Sequence, residues 1–235
     1  MLIDLHVHTM QGGPDSSLTP QQIIEEAKRI GLDGVCVTEH NCLWDTHEFE
    51  KLAQKNGLRV FRAMEINTEV GHIAVFGLKS YIGGIHKADR LRTEVLAAGG
   101  FMIALHPFRR LFDQKLFLPL DPPAEPPTAE AASKWPVFDL VDEIEVLNGA
   151  CTERENLFTY EVAQIRGWKG TAGSDAHSTQ GLGCHITVFE GSIETERDLL
   201  EELRAGRFYP ATGLLKGNIV PFRDGLVPEA DGWIE

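Results

Sequence analysis

The sequence is poor in cysteine, in positive charge and in long apolar runs, and each shortage removes a class of protein. Its four cysteines, Cys36, Cys42, Cys151 and Cys184, form no C-x-x-C pair and no disulfide framework, so they read as reduced thiols packed like small apolar residues. Against 35 Asp and Glu there are only 22 Lys and Arg, a formal charge of −13. Broad, sequence-independent binding to nucleic acid depends on many cationic contacts to phosphate and is excluded by that balance. A small phosphorylated ligand held through metals is not. No apolar run approaches the roughly 20 residues that span a bilayer. The first residues also lack the basic, then apolar, then small-residue order of a secretory signal, so the expectation is a cytoplasmic protein without membrane contact. With 235 residues, 43% hydrophobic and 24% charged, the chain suffices for one domain with a real core.

What is present begins at once, with Met-Leu-Ile-Asp-Leu-His-Val-His-Thr. The crowded apolar residues from Leu2 to His8 predict a buried strand, in which residues two apart share a side, so His6 and His8 converge. Asp15 lies one Gly-Gly-Pro turn further on. Two imidazoles and a carboxylate are nitrogen and oxygen donors for a divalent metal.

Further along, strands and helices alternate. Thr19-Pro20 predicts a helix start, the helix runs through Ile23, Ile24, Ala27 and Ile30, and Gly31 stops it. A buried strand over 34–38 follows, ending at Glu39-His40-Asn41. A helix over 45–55 and a strand over 59–66 deliver Glu65. Next come a strand over 72–77, a helix over 87–98, a strand over 101–105 ending at His106, a strand over 142–147 ending at Asn148, and a helix over 153–165. A short strand near 170–172 leads into Gly173-Ser174-Asp175-Ala176-His177, and a strand, a helix and a strand over 184–212 close the pattern. Residues 108–136 carry six prolines, too many for regular structure, and read as an inserted surface loop or cap. The stretch 213–235 has no assignable element and reads as an extension to a single domain over 1–212.

Such alternation implies a parallel sheet, open or closed. Potential ligands stand at the ends of separate apolar strands: His40, Glu65, His106, Asn148 and Asp175. A (β/α) barrel gathers those ends at one mouth, whereas an open sheet spreads them along an edge. Convergence favours the barrel. Six of the nine histidines, His6, His8, His40, His72, His106 and His177, fall in this set, although His72 opens its strand where the others close theirs. His47, His86 and His185 read as peripheral.

His6-x-His8, Thr38-Glu39-His40, Glu65 followed by His72, His106-Pro107 and Gly173-Ser174-Asp175-Ala176-His177, in this order, resemble the PHP family, named for polymerase and histidinol phosphatase. The stretch from Gly173 through Arg207 also resembles the C-terminal part of small stand-alone PHP phosphoesterases. The resemblance implies an α/β fold, a distorted (β/α)7 barrel with a cluster of two or three divalent metals (manganese, zinc or iron) at its C-terminal mouth. It places His6, His8, Glu65 and Asp175 on one metal, lets Glu65 bridge to a second held by His72 and His106, and gives Asp15, His40 and His177 to a third. Glu65, Asp175 and His177 are then the catalytic residues. The chain departs from the family at Glu39, more often aspartate, at Asp15, which is histidine in some members, and in its Gly12-Gly13-Pro14 turn.

The expected activity is a metal-dependent phosphoesterase that uses a metal-bridging hydroxide, with no serine or cysteine nucleophile. Its substrate would be a phosphomonoester or a small nucleotide or oligonucleotide phosphodiester, such as a short nucleic-acid end. Arg109, with Arg110 as competitor, is the expected phosphate clamp. Asn148 either orients a ligand or caps its strand, and Phe112 and Trp135 either stack on an aromatic group or pack onto the barrel. Two alternatives stand beside this one: an amidohydrolase-type enzyme acting at a carbonyl carbon, and a metal-stabilised binding module with little turnover.

Overall fold

The computed structural model describes residues 1–113 and 126–222. Its strands are β1 (Leu2–Val7), β2 (Gly34–His40), β3 (Arg59–Thr68), β4 (Gly71–Phe76), β5 (Phe101–Ala104), β6 (Glu143–Asn148), β7 (Thr171–Gly173), β8 (His185–Phe189), β9 (Phe208–Thr212) and β10 (Val220–Pro221). The helices are α1 (Pro20–Ile30), α2 (His47–Lys55), α3 (Ala88–Ala97), α4 (Ala129–Ala132), α5 (Glu153–Arg166) and α6 (Glu196–Ala205).

Local chemistry sets the helix ends. Thr19, Thr152 and Thr195 each accept from the backbone N–H three residues on, and the side chains of Gln22, Glu155 and Asp198 reach back in the same way. Gly31 ends α1 at φ 82°, a left-handed turn that costs glycine little. Ile23, Ile24 and Ala27 form the buried stripe of α1, against Val35 and Val37 of β2.

The sheet runs in the order β10-β9-β8-β1-β2-β3-β4-β5-β6-β7 and curls until its seventh strand returns to its first. The seam is held by few ladder contacts: one parallel bridge, Val7 to Ala176, and side chains that replace the rest. The buried Asp4 carboxylate accepts the N–H groups of Ser174 at 2.9 Å and Gly183 at 3.0 Å, and Thr187 Oγ1 accepts from Ala172 N at 2.9 Å. Burial pushes the Asp4 carboxyl up to about 6. The result is a distorted α/β barrel of strands β1 to β7, with β8, β9 and β10 as an antiparallel wing on the start of β1.

The expected parallel sheet is corrected in two places, at the antiparallel wing of β8 to β10 and, within the barrel, at β4. β4 runs antiparallel to both β3 and β5, because only Glu69 and Val70 separate Thr68 from its partner Gly71, and so short a link makes a hairpin and leaves no room for a crossover. That reversal explains His72: the first residues of β4 lie at the same end of the barrel as the last residues of its neighbours.

The expectation of irregular structure over 108–136 is also corrected in its second half. Thr128 caps α4, Pro136 opens a short 3₁₀ helix (Pro136–Asp139), and Ala132, Val137 and Phe138 pack with Phe108 in the main core. Prolines at first-turn positions are compatible with helix. Pro119, Pro122 and Pro123 lie outside the described residues. Beyond Gly213, a 3₁₀ turn (Leu214–Lys216) leads to β10, and the buried Phe222 meets Tyr160 edge-on at 5.1 Å. Among the described residues, no helix is long and apolar enough to cross a membrane.

Candidate metal centre

Four donor atoms from three strand ends meet at the mouth. His6 Nε2 lies 3.0 Å from His8 Nε2, 3.4 Å from Glu65 Oε2 and 3.5 Å from Asp175 Oδ1. His8 Nε2 lies 3.2 Å from the same Glu65 oxygen and 3.4 Å from the same Asp175 oxygen. Donors arranged tetrahedrally around a cation with bonds of about 2.1 Å stand about 3.4 Å apart, which is the spacing observed. The other Glu65 oxygen, Oε1, contacts His72 Nδ1 closely and lies 3.2 Å from His106 Nε2. On the outer side, Asp15 Oδ2 is 3.1 Å from His40 Nε2 and 3.6 Å from His177 Nε2. The nine expected ligands lie together at the mouth, and among the described residues three sets of donors stand close enough to share an ion: His6, His8 and Asp175; His6, Glu65 and His106; and His8, His40 and His177.

The donors fit divalent cations. His6 and His8 aim ring nitrogens at each other, and the Nδ1 atoms of His8 and His40 are enclosed without a hydrogen-bond partner; that of His40 lies 3.0 Å from Glu65 but off the bonding direction. Imidazole nitrogen with carboxylate oxygen suits zinc, iron and manganese. Charges are already paired in the cluster. Burial raises the Glu65 carboxyl, but the facing histidines His106, His40, His6 and His72 outweigh it and hold the pKa well below the carboxylate range. Asp175 is lowered in the same way against its own burial, chiefly by His6 and His8. His6 responds in the opposite sense: burial pulls it down, yet Asp175 and Glu145 hold it well above the usual value.

The backbone is bent to bring these groups in. His106 at φ 28° and Asp175 at φ 53° adopt left-handed conformations that side chains other than glycine rarely take. Asn41, at φ 48°, does so just after β2, where its Oδ1 accepts from Asn67 N at 3.0 Å and ties β2 to β3.

The chain matches the PHP domain over residues 4–112 and the PHP-associated domain over residues 153–208. An uncharacterized protein of Methanocaldococcus jannaschii is 32% identical over 117 residues, which covers 46% of this chain and 68% of that one. The chain belongs to the PHP family. Two solved structures share the fold. A provisionally assigned metal-dependent phosphoesterase of Bifidobacterium adolescentis matches with a TM-score of 0.56 and 15% identity, over 75% of this chain and 88% of that one. An amidohydrolase of Chromobacterium violaceum, with bound sulfate and no metal, matches with a TM-score of 0.55 and 17% identity, over 88% and 96% of the two chains.

This PHP chain accommodates its own departures from the family. Glu39 accepts from Thr9 N–H and Oγ1 and from Trp44 Nε1 at 2.9 Å. A Cβ on Gly12 would stand 1.9 Å from the Glu39 carboxylate, so the longer acid is admitted because residue 12 has no side chain. Arg109 sits at the rim, its Nη1 3.3 Å from Asp175 Oδ2, and Arg110 follows it with a left-handed backbone at φ 64°. Both, with His72, His106, Trp135 and Val137, line a cavity of about 400 Å³ beside the cluster. Trp135 also packs on Phe108 at 5.1 Å, and Phe112 packs on Phe158 at 5.6 Å.

Asn148, expected to touch substrate or cap its strand, is fully buried and spends its amide on Glu145 at 2.9 Å and Asp175 at 3.5 Å, while its Oδ1 caps Ala150 N. Glu145 was not anticipated. Its signal was there to be read: Glu143 and Glu145 are acids alternating with Ile144 and Val146 in an apolar strand. His47 and His86 are exposed, and His185 is a partly enclosed residue of β8 whose pKa burial lowers to about 4.

Proposed function

We propose that this PHP protein is a metal-dependent phosphoesterase that hydrolyses a phosphomonoester or a small nucleotide or oligonucleotide phosphodiester. The observation that carries this reading is the pairing of the buried donor cluster with Arg109, which stands beside Asp175 where the cluster opens into the cavity. A guanidinium offers two parallel hydrogen bonds to a phosphate, and it places that anion against the cluster.

His6, His8, Glu65 and Asp175 would hold one metal, Glu65 with His72 and His106 a second, and Asp15, His40 and His177 a third. Divalent cations bound there supply concentrated charge that polarises a phosphoryl group and makes water a competent nucleophile at neutral pH. Glu65 and Asp175 stay ionised throughout the neutral range, because the histidines around them depress their pKa values. His177 donates Nδ1–H to the Asp175 carbonyl at 2.8 Å, which leaves its Nε2 facing Asp15. Arg109 orients the ester, and Trp135 and Val137 form the apolar wall against which its leaving group lies. The acidic chain favours small or short substrates over long duplexes.

The test is hydrolysis of an aryl phosphomonoester, an aryl phosphodiester and a short 5′-phosphorylated oligonucleotide by protein reconstituted with manganese or zinc. Turnover that requires metal and falls by about 10²- to 10³-fold in Asp175→Asn supports the proposal. Metal-loaded protein that leaves all three esters intact and opens an amide or lactone overturns it in favour of carbonyl chemistry.

A further inference from the structure

We infer that Glu145 is the positioning residue of the metal centre, a buried acceptor that sets the orientation of His6 and anchors His106 and Asp175 from behind. The inference rests on the metal-centre reading above and concerns a residue outside its ligand set.

Glu145 lies on β6, 2% exposed, and both its oxygens are engaged. Oε1 is 3.0 Å from His6 Nδ1. Oε2 accepts the backbone N–H of His106 at 3.0 Å and the side-chain N–H of Asn148 at 2.9 Å, and Asn148 in turn reaches Asp175 Oδ2 at 3.5 Å. One carboxylate thus joins the ends of β1, β5 and β6 and, through Asn148, Asp175, two residues beyond β7.

The chemistry calls for a carboxylate. An imidazole that ligates a metal is neutral and carries one N–H, and an acceptor at Nδ1 would keep it there, so that the Nε2 lone pair would face the point where His8, Glu65 and Asp175 converge. The His106 N–H needs an acceptor because its residue sits at φ 28°, outside any ladder. Three N–H groups are served by two oxygens that donate nothing. Glutamine at 145 would turn an N–H against at least one of them. The opposite wall is fitted to this contact: a Cβ on Gly173 would stand 2.8 Å from Glu145 Oε1 and 2.4 Å from His6 Cβ. Glu143, two residues earlier on the same strand, is also buried but accepts from Ile144 and Gly170 and touches no expected ligand. It is the natural control.

The experiment measures manganese(II) and zinc(II) affinity by chelator competition for wild type, Glu145→Gln and Glu143→Gln, with circular dichroism of the metal-free proteins. We expect Glu145→Gln to fold and to bind about 10- to 100-fold more weakly, and Glu143→Gln to match wild type. In zinc-loaded wild type, imidazole ¹⁵N NMR should show a long-lived proton on His6 Nδ1. Wild-type affinity in folded Glu145→Gln, or equal losses in both variants, overturns the inference while leaving the metal centre intact. Wild-type protein that binds neither metal overturns the centre and the inference together. If Glu145→Gln does not fold, the His6 resonance decides: a proton on Nδ1 supports the assignment, and its absence overturns it.

Discussion

On the inward face of β3, Phe61, Ala63 and Glu65 follow one another, and on β4 the same face reads Phe76, Ala74 and His72 from floor to mouth. At the floor, Phe61, Phe76, Phe189 and Phe208 are buried with Ile3, Leu5 and Leu199 in one apolar cluster that is satisfied by contact alone. At the mouth, four residues higher on β3 and β4, buried carboxylates face buried imidazoles, and two of the residues that supply such groups have left-handed backbones. The difference shows how one framework serves two ends. Apolar burial at the floor stabilises the barrel, which can then hold at its mouth a set of polar groups that would not gather by themselves.

Phe61→Ala should break the comparison from below, with a loss of about 3–5 kcal/mol of stability in denaturant unfolding. Protein that remains folded should keep wild-type metal affinity; a parallel loss of affinity would mean that floor and mouth are not separable. Next in size is a charge placed on the wrong side of the divide. Burial pushes Glu143 up to about 7 from a usual value of 4.5. The folded chain therefore holds that proton more tightly than the unfolded one, and the contribution of Glu143 to stability is greatest below 4.5 and falls as pH rises to about 7, by about 3 kcal/mol. Gln at 143 keeps one carbonyl for the Ile144 and Gly170 N–H groups, both of which use a single oxygen now. Its melting temperature should exceed that of wild type at pH 8 and converge with it near pH 4; a constant offset would sink the assignment.

Gly12→Ala sharpens the comparison from above, because the new methyl meets Glu39, and a cost of about 1–3 kcal/mol is expected. Adding Glu39→Asp should recover much of it, so the pair should be strongly non-additive in thermal unfolding. Additive losses would remove the steric explanation. The smallest effect is expected at the rim: Arg109→Ala should raise KM by about 10-fold with metal content unchanged, and unchanged kinetics would remove Arg109 from the site.

Much of this could be read from local pattern. Threonine followed three residues later by a side-chain acceptor marks α1, α5 and α6, and a histidine two residues after another marks a pair on one face. Such features depend on neighbours a few residues away, and they indicated most of the strands and helices and the polar residues at their ends, while the assignment of nine of those residues as ligands came from the family resemblance. Contacts between distant residues were decided by closure of the sheet. His6 and Glu145 are 139 residues apart, Asp4 and Ser174 are 170, and each pair meets because β7 comes back to β1. The direction of β4 depended on two linking residues that the alternation of strand and helix does not register. The fit of Glu39 over Gly12, and the use of Asn148 as an internal strut, are matters of packing. A sequence prescribes which faces are polar, but which polar groups meet is settled only when the strands that carry them are brought together.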